Sequence, residues 1–394
     1  MILIEPLSRR VGKHQVLMET LKVQKQISYV ILVAFILSAC SSDNEDISDG
    51  PERPEDPLAA SLEEKLDNNT MGYAYLVMRD GSVVASNGAG QARNAIDGDR
   101  PMLVTTPMHV ASLSKFITTV TALHLLEEYQ ISPETSISTY FPSDWELGPG
   151  VTNLTFMDFL AQQAGLNEYG TFFFRANHYD SLKRLISNGA ENPQVKFYNN
   201  NHHSFMRVAL PVLVDQQMGV ERTYDAFNTA SSYNQIVKEE IFDPIGAIAT
   251  LNSADLEVAL GYGGSLDANS GLGDAVDFSL VSGAYGWHIS AEDFTTLWQK
   301  VWHTEEIFSS SMREEMQENR AGLFDSFQGL NGTYYIKNGW WFYSNDPAKE
   351  IQTVAVHFPD NTDVVVFINS VLGGQYVGIT RLAIDAYEES LLAN

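Results

Sequence analysis

A single cysteine, Cys40, occurs among the 394 residues, so no disulfide can form within the chain and the fold depends on packing alone. Basic residues are also scarce: 24 Lys and Arg stand against 50 Asp and Glu, which gives a formal net charge of −26. A chain this acidic repels a phosphate backbone, which excludes nucleic acid as a partner. An apolar content of 44% is that of a soluble globular protein and excludes a disordered or polytopic membrane chain.

The sequence also lacks a hydrophobic run long enough to span a bilayer, which takes about 20 residues. Its most apolar run, Ile27–Leu37, follows two lysines and leads into Leu-Ser-Ala-Cys, which ends at Cys40. A charged start, a short apolar core and small residues before a cut are typical of a secretory signal. We therefore predict a signal peptide over residues 1–39, with Met18 as an alternative start of the chain.

The tetrad that ends at Cys40 resembles the lipobox of bacterial lipoproteins, in which the cysteine is lipidated and begins the mature chain. Residues 40–57 are rich in acidic residues and proline, and such a segment buries too little apolar surface to offset the entropy cost of ordering. We expect an acidic tether and a lipid anchor on Cys40 that holds the protein at a membrane of the bacterial cell envelope, periplasmic or at the cell surface. The alternative is an ordinary signal peptide with an unmodified cysteine.

Hydrophobic patterning divides the remaining chain, 58–394, into two kinds of segment. Alternating patterns near both ends predict strands, and an Asp-Gly pair at 80–81 predicts a hairpin turn. The middle of the chain is typical of helices and loops. We therefore predict an α+β fold in which 58–105 and 285–394 build one antiparallel sheet and 106–284 form a helical subdomain inserted beside it. A cleft between the two parts is the expected place for a site.

Several common catalytic signatures are missing. No serine lies in Gly-x-Ser-x-Gly, no His-Glu-x-x-His occurs, and no glycine-rich phosphate loop has the required lysine. His202 and His203 are adjacent, so their side chains diverge, and we expect them to be ordinary polar surface. The sequence therefore implies no metal and no cofactor.

Ser112 is the one serine of the chain with a lysine three residues later, Lys115. The pair begins an apolar helix predicted from Thr106 to Glu128, and side chains three residues apart share one helix face. Burial should lower the pKa of the amine, so that it can accept the hydroxyl proton near neutral pH. The alternative is a lysine that extends from a core helix to solvent beside an unreactive serine.

The segment Val110–Lys115 resembles the nucleophile motif of the serine β-lactamase and penicillin-binding-protein superfamily. In its class C branch, Ser-x-x-Lys is followed by Tyr-x-Asn and then by Lys-Thr-Gly or His-x-Gly on an edge strand. Other segments resemble family elements in the same order: Gly72–Gly90, Leu154–Leu166, Ile241–Gly246 and Ile289–Phe294. The resemblance implies a β-lactamase/transpeptidase-like fold and a serine nucleophile that forms an acyl-enzyme with a small-molecule or peptide substrate.

The resemblance also implies roles for the second motif. In Tyr198-Asn199-Asn200, Tyr198 would relay protons between Ser112 and the leaving group. Asn200 would hydrogen-bond Lys115 and a substrate carbonyl. The triplet Tyr343-Ser344-Asn345 is a closer match in letters, but it follows the third motif and is therefore in the wrong order.

Lys337-Asn338-Gly339, on a strand predicted over 334–342, matches the third motif. Lys337 would add positive electrostatic potential at the site, and Asn338 would face the substrate. Gly339 would let the substrate backbone approach the strand closely. The family pattern assigns the oxyanion hole to the backbone N–H groups of Ser112 and Trp340. A solvated lysine on an edge strand is the alternative.

Three departures from the family bear on the substrate. Asn338 replaces a Thr or Ser whose hydroxyl helps to hold the substrate carboxylate in β-lactamases. The Trp340-Trp341 pair puts large rings where smaller residues are common, and Gln162-Gln163-Ala164 replaces His-Thr-Ser. We therefore expect an acyl-enzyme serine hydrolase with esterase or D-Ala-D-Ala peptidase-like activity ahead of efficient β-lactam hydrolysis. The alternative is a lipoprotein with the same fold that binds cell-wall peptide with little or no catalysis.

Overall fold

The computed structural model describes residues 55–166, 177–254, 256–273, 276–375 and 378–393. Cys40, the predicted signal peptide and all but the end of the predicted tether lie outside these residues. Among the described helices, none is both long enough and apolar enough to cross a bilayer.

The folded chain begins with helix α1 (Pro57–Leu66), followed by the hairpin of β1 (Gly72–Arg79) and β2 (Ser82–Arg93) and by the short strand β3 (Arg100–Pro101). A 3₁₀ turn at Ala95–Asp97 lies between β2 and β3. The predicted turn is present, because Asp80 and Gly81 both adopt positive φ, as a tight two-residue hairpin turn requires.

The segment around the predicted nucleophile is more irregular than its pattern suggests. Strand β4 (Met108–His109) and a 3₁₀ turn (Ala111–Leu113) precede helix α2 (Ser114–Glu128). The predicted helix start at Thr106 is therefore wrong. Ala111, with a φ of 47°, interrupts any helix that begins earlier.

The middle of the chain is mostly helical, as predicted. Its regular elements are α3 (Phe156–Leu160), α4 (Tyr179–Asn188), α5 (Asn200–Met218), α6 (Ala226–Val237), α7 (Asp243–Ile245), β5 (Ala249–Thr250) and β6 (His288–Ile289). Shorter turns of 3₁₀ or π type cover Ile137–Tyr140, Val151–Asn153, Lys238–Phe242 and Ser279–Val281. Strands β4, β6 and β5 pair into a small three-stranded sheet in that order.

The end of the chain returns to the main sheet. Its elements are α8 (Ala291–His303), α9 (Ser310–Asn319), β7 (Asp325–Gly329), β8 (Gly332–Tyr343), β9 (Asp346–His357), β10 (Thr362–Ile368) and α10 (Ile379–Leu392). The seven strands lie in the order β3-β2-β1-β10-β9-β8-β7, and β1 pairs antiparallel with β10 so that Tyr73 faces Ile368. The prediction of an α+β fold with one antiparallel sheet built from both ends is confirmed.

Both faces of the sheet are covered. Helices α1 and α10 cover one face, where Tyr75 and Val366 are buried in one apolar cluster. On the other face, Leu76 and Val365 belong to a larger cluster that includes α2, α5 and α8. Successive side chains of a strand point to opposite faces, so the two clusters alternate along each central strand.

A buried carboxylate at the start of β10 ties α8 to the sheet. The side chain of Asp363 accepts hydrogen bonds from His303 Nε2 at 2.5 Å, from His357 Nδ1 at 2.8 Å and from Trp298 Nε1 at 2.8 Å. Burial alone would raise the pKa of Asp363, but the hydrogen bonds and charges of the two histidines outweigh it and hold the pKa below its ordinary value.

Candidate active site

Ser112 lies in the 3₁₀ turn that connects β4 to α2. The residue before it, Ala111, occupies the left-handed region, which costs a residue with a Cβ about 1–2 kcal/mol. Thr353 of β9 helps to hold this turn by donating from Oγ1 to the carbonyl of Val110 at 3.1 Å. Strained backbone beside a reactive side chain is a frequent feature of functional sites.

Lys115, one turn into α2, is completely buried, and its amine has three neighbours. Nζ donates to Asn200 Oδ1 at 2.7 Å and to the carbonyl of Ala284 at 3.0 Å, and it lies 3.2 Å from Ser112 Oγ. Burial lowers the pKa of Lys115 from 10.5 to about 7. Near neutral pH, therefore, a large fraction of this amine is uncharged.

The two carbonyl acceptors fix the orientation of the uncharged amine. A neutral amine has two N–H bonds and one lone pair, and both N–H bonds are used by Asn200 and Ala284. The remaining tetrahedral direction faces the hydroxyl of Ser112. The lone pair is therefore directed at the proton that has to leave if Ser112 is to act as a nucleophile.

Tyr198 lies in the segment just before α5 and contacts Ser112. Its hydroxyl donates to Ser112 Oγ at 2.6 Å, and its ring centroid lies 4.8 Å from Lys115 Nζ. Tyr198 is 36% exposed, so the groove beside Ser112, which Tyr198 borders, is open to solvent. Helix α5 begins immediately afterwards, with Asn199 as its N-cap, and this places Asn200 against the amine.

Gln162 holds the segment that carries Tyr198, a role that the sequence did not reveal. Its backbone carbonyl accepts from Phe197 N–H and its side-chain Oε1 accepts from Asn199 N–H, both at 2.8 Å. Gln162 thus hydrogen-bonds the backbone of the residues on both sides of Tyr198. Gln162 Nε2 in turn donates to Nδ1 of the buried His203 at 2.8 Å.

The expectation that His202 and His203 are polar surface is wrong, because both are buried in α5. Burial lowers the pKa of His202 to about 3 and that of His203 well below its ordinary value, so both rings are neutral. With Nδ1 accepting from Gln162, Nε2 of His203 carries the proton and donates to Thr119 at 3.1 Å. Through Gln162, His203 supports the segment that carries Tyr198.

Lys337, on β8, brings a second buried amine to the groove. Its Nζ lies 5.9 Å from the ring centroid of Tyr198. Burial lowers the pKa of Lys337 to about 7; the charges of Lys115 and Lys196 act in the same direction, while Tyr198 opposes them. The site therefore holds two amines that both titrate near neutrality.

Gly339 lets β8 approach the nucleophile turn. A Cβ at this position would lie 2.5 Å from the carbonyl of Val110 and 2.9 Å from Ser112 N, both backbone atoms. The carbonyl of Ile336 accepts from Phe324 N–H, so the even-numbered residues of β8 direct their backbone groups to the strand's outer edge. The backbone N–H of Trp340 thus points away from β9, and the adjacent Gly339 lies against the Ser112 turn.

The side chains of Asn338 and Trp340 lie on the face of β8 away from Ser112. The expectation that Asn338 faces the substrate is therefore wrong, whereas the role expected of Trp340 involves its backbone N–H and not its ring. Asn338 Nδ2 donates to Thr380 of α10 at 3.0 Å, and Trp340 Nε1 donates to Glu350 at 2.6 Å. The reason is the pleat of β8, which sends Lys337, Gly339 and Trp341 to the groove face and the residues between them to the α10 face. Of the paired tryptophans, Trp341 is therefore the one on the groove side.

The alternative second motif lies elsewhere. Tyr343 is the last residue of β8, and Ser344 and Asn345 form the turn into β9. These residues are beyond the groove end of the strand. The structure brings Ser112, Lys115, Tyr198, Asn200, Lys337 and Gly339 together.

Comparison with known proteins identifies the family and agrees with the fold. The model of the beta-lactamase family matches residues 58–382. Among solved structures, a class C beta-lactamase from Rhodobacter sphaeroides aligns with a TM-score of 0.61 at 17% identity, over 86% of this chain and 99% of the other. A beta-lactamase/D-alanine carboxypeptidase from Yersinia pestis aligns with a TM-score of 0.61 at 14% identity, over 84% and 97%. EstCE1, a hydrolase with promiscuous acyltransferase activity, gives 0.60 at 16% identity, over 84% and 98%. No curated protein matches the sequence.

Proposed function

The chain belongs to the beta-lactamase family, and from that premise we propose that it is a serine hydrolase that cleaves carboxylic esters and related amides through an acyl-enzyme. The observation that carries the proposal is the position of Ser112 Oγ, 3.2 Å from a buried amine and 2.6 Å from a phenol hydroxyl. One group can take the serine proton while the other can give a proton to a leaving group.

In the acylation step, Ser112 Oγ attacks the substrate carbonyl carbon and its proton passes to the lone pair of Lys115. The carbonyl oxygen becomes an oxyanion, which accepts hydrogen bonds from the N–H groups of Ser112 and Trp340. As the bond to the leaving group breaks, Tyr198 gives its hydroxyl proton to the departing oxygen or nitrogen. The site then holds an acyl-serine, a Lys115 ammonium and a Tyr198 phenolate.

Deacylation reverses the proton transfers. A water molecule attacks the acyl carbon and gives a proton to the Tyr198 phenolate. The bond to Ser112 Oγ breaks, and the alkoxide takes back its proton from Lys115. The carboxylic acid leaves, and every group returns to its starting protonation state.

Esters are favoured over carboxylate-bearing substrates such as β-lactams and D-Ala-D-Ala peptides. The hydroxyl that holds a substrate carboxylate in β-lactamases is replaced by Asn338, whose side chain is engaged with Thr380 on the other face of the sheet. Lys337, next to Asn338 in the strand, remains as a positive group, but with a pKa of about 7 it is only partly charged near neutral pH. An ester needs no anionic anchor.

The test compares wild type with Ser112→Ala and with Ser114→Ala, a matched control two residues later, at the first residue of α2. We expect p-nitrophenyl acetate turnover that falls on the order of 10⁴-fold or more in Ser112→Ala and stays near wild type in Ser114→Ala. Nitrocefin turnover should be slower than ester turnover. Equal activity in wild type and Ser112→Ala would overturn the mechanism, and efficient nitrocefin hydrolysis would reverse the substrate order.

Covalent labelling separates the hydrolase from the alternative of a cell-wall peptide binder. A fluorescent fluorophosphonate should label the wild type at Ser112 and leave Ser112→Ala unlabelled. A binding protein would give saturable affinity for peptidoglycan fragments and no adduct. An intact Ser112–Lys115–Tyr198 arrangement favours the hydrolase.

We also propose that the enzyme acts at the bacterial cell envelope, anchored by a lipid on Cys40. The proposal is supported by the lipobox-like residues 37–40 and the acidic segment that follows. Expression of the full chain in a bacterial host should place it in the detergent-soluble membrane fraction. Cys40→Ser should release it to the aqueous fraction, and an unchanged distribution would refute the anchor.

A further inference from the structure

The groove along β8 has two chemically different ends. Lys337, Gly339 and Trp341 point to the same face, and each is about 7 Å from the next because a strand advances about 3.4 Å per residue. Gly339 lies against the nucleophile turn, so it marks the centre. Lys337 lies on one side of the centre and Trp341 on the other.

The position of Tyr198 decides which end takes which part of the substrate. Its hydroxyl contacts Ser112 Oγ, and its ring faces Lys337. In the proposed reaction Tyr198 gives its proton to the leaving group, so the leaving group has to lie at the Lys337 end. The acyl group, on the opposite side of the carbonyl carbon, therefore points toward Trp341.

The Trp341 end is closed by packed rings. The ring centroid of Trp341 lies 4.5 Å from that of His109, 5.4 Å from that of Tyr285 and 6.0 Å from that of Phe278. All three partners are buried, whereas Trp341 is only partly buried. Trp341 therefore forms the surface that an acyl group meets, and the rings behind it block any deeper path.

His109 fills part of the space behind Trp341. Its ring is 3% exposed, and neither nitrogen has a hydrogen-bond partner among the described residues. Burial, together with the nearby His288, keeps the pKa of His109 well below its ordinary value, so the ring is neutral. A long acyl chain could enter this space only by displacing Trp341.

We propose that Trp341 determines substrate specificity by limiting the acyl group to short chains, on the scale of acetyl to butyryl. This inference rests on the proposed hydrolase function and names its substrate class: esters of short carboxylic acids. An acyl chain longer than a closed apolar pocket can accommodate loses roughly 10- to 200-fold in kcat/KM. Bulky acylamino groups, such as those of many β-lactams and of peptidoglycan stem peptides, meet the same wall.

The test measures kcat/KM for p-nitrophenyl acetate, butyrate and octanoate in wild type, Trp341→Ala and Trp341→Phe. Phe342→Ala is the matched control, because Phe342 is 54% exposed and lies on the opposite face of β8. We expect wild type to prefer acetate over octanoate by on the order of 100-fold, and Trp341→Ala to raise octanoate turnover relative to acetate by 10-fold or more. Trp341→Phe should give an intermediate ratio, and Phe342→Ala the wild-type ratio.

The possible failures are distinguishable. Ester turnover that depends on Ser112 but shows the same octanoate-to-acetate ratio in wild type, Trp341→Ala and Trp341→Phe would overturn the acyl limit alone. A wild type that prefers octanoate would do the same, even if Trp341→Ala did not fold. Absence of Ser112-dependent turnover of all three esters would overturn the proposed function and the acyl limit with it.

Discussion

The rate of acylation should follow the protonation state of Lys115. Its amine is buried, is oriented by two carbonyl acceptors and has a pKa of about 7. Only the uncharged amine can accept the proton of Ser112, so activity is lost as pH falls through that value. Varying pH is therefore a direct perturbation of the proposed mechanism.

The size of the effect follows from the pKa. Half of the amine is uncharged at pH 7, about a tenth at pH 6 and about a hundredth at pH 5, so kcat/KM should fall about tenfold per pH unit on the acid side. Above pH 8 the profile should be flat. A lysine at its ordinary pKa of 10.5 would instead give activity that still rises at pH 9.

The assay is kcat/KM for p-nitrophenyl acetate between pH 5 and pH 9 at constant ionic strength. Lys337→Met serves as a comparison, because Lys337 also titrates near pH 7. Lys337→Met should be slower, but its kcat/KM should still fall below pH 7, which is the acid limb of the profile. Lys115→Met should lose both the activity and the acid limb. An acid limb that persists in Lys115→Met, or disappears in Lys337→Met, would refute the assignment of the base.

Protein stability gives an independent measure of the same pKa. An unfolded chain holds the Lys115 proton up to about pH 10.5, whereas the folded protein releases it near pH 7. Between these values the unfolded state binds more protons, so folding stability gains about 1.4 kcal/mol per pH unit. Because the folded amine is still half protonated at pH 7, wild type should gain about 2 kcal/mol relative to Lys115→Met in urea unfolding between pH 7 and pH 9. A pH-independent difference between the two proteins would contradict the lowered pKa.

Two further predictions concern residues outside the reacting groups. Gln162→Ala should lower kcat on the order of 100-fold with a small change in KM, because it releases the backbone around Tyr198. The neighbouring Gln163→Ala serves as the control. Equal kcat values in the two variants would contradict a positioning role for Gln162. Asp363→Asn should destabilise the protein by about 3 kcal/mol at pH 7, because it breaks a buried charged cluster. Because folding lowers the pKa of Asp363, its carboxylate stabilises the folded protein above about pH 4, and this stabilisation is lost as pH falls further. In urea unfolding, the difference in free energy of unfolding between wild type and Asp363→Asn should therefore be smaller at pH 3 than at pH 7.

The sheet could be predicted because its signals are local. Strand alternation at both chain ends and the Asp80-Gly81 turn each depend on short stretches of sequence, and they indicated one sheet built from both ends. The start of α2 could not be predicted in this way. Its residues favour a helix from Thr106, and only the left-handed Ala111, which the surrounding packing imposes, delays the helix to Ser114.

The contact between Ser112 and Lys115 could also be predicted from spacing, since three residues make nearly one helical turn. The role of Gln162 could not, because it acts on Asn199, 37 residues away, through a tertiary contact. The same holds for the two tryptophans of β8. A one-residue difference in register exchanges the faces of a strand, and the sequence does not state which of Trp340 and Trp341 faces the groove.

The pairing of β1 with β10 has a consequence for biosynthesis. About 300 residues separate Tyr73 from its partner Ile368. The first hairpin therefore keeps an unsatisfied hydrogen-bonding edge until the last strand leaves the ribosome. At about 10 residues per second this takes roughly half a minute. Strand β8, which carries Lys337 and Gly339, is translated in the same late window. A nascent chain therefore lacks a complete candidate site, and stays open to chaperones and proteases, until translation of the sheet is almost finished.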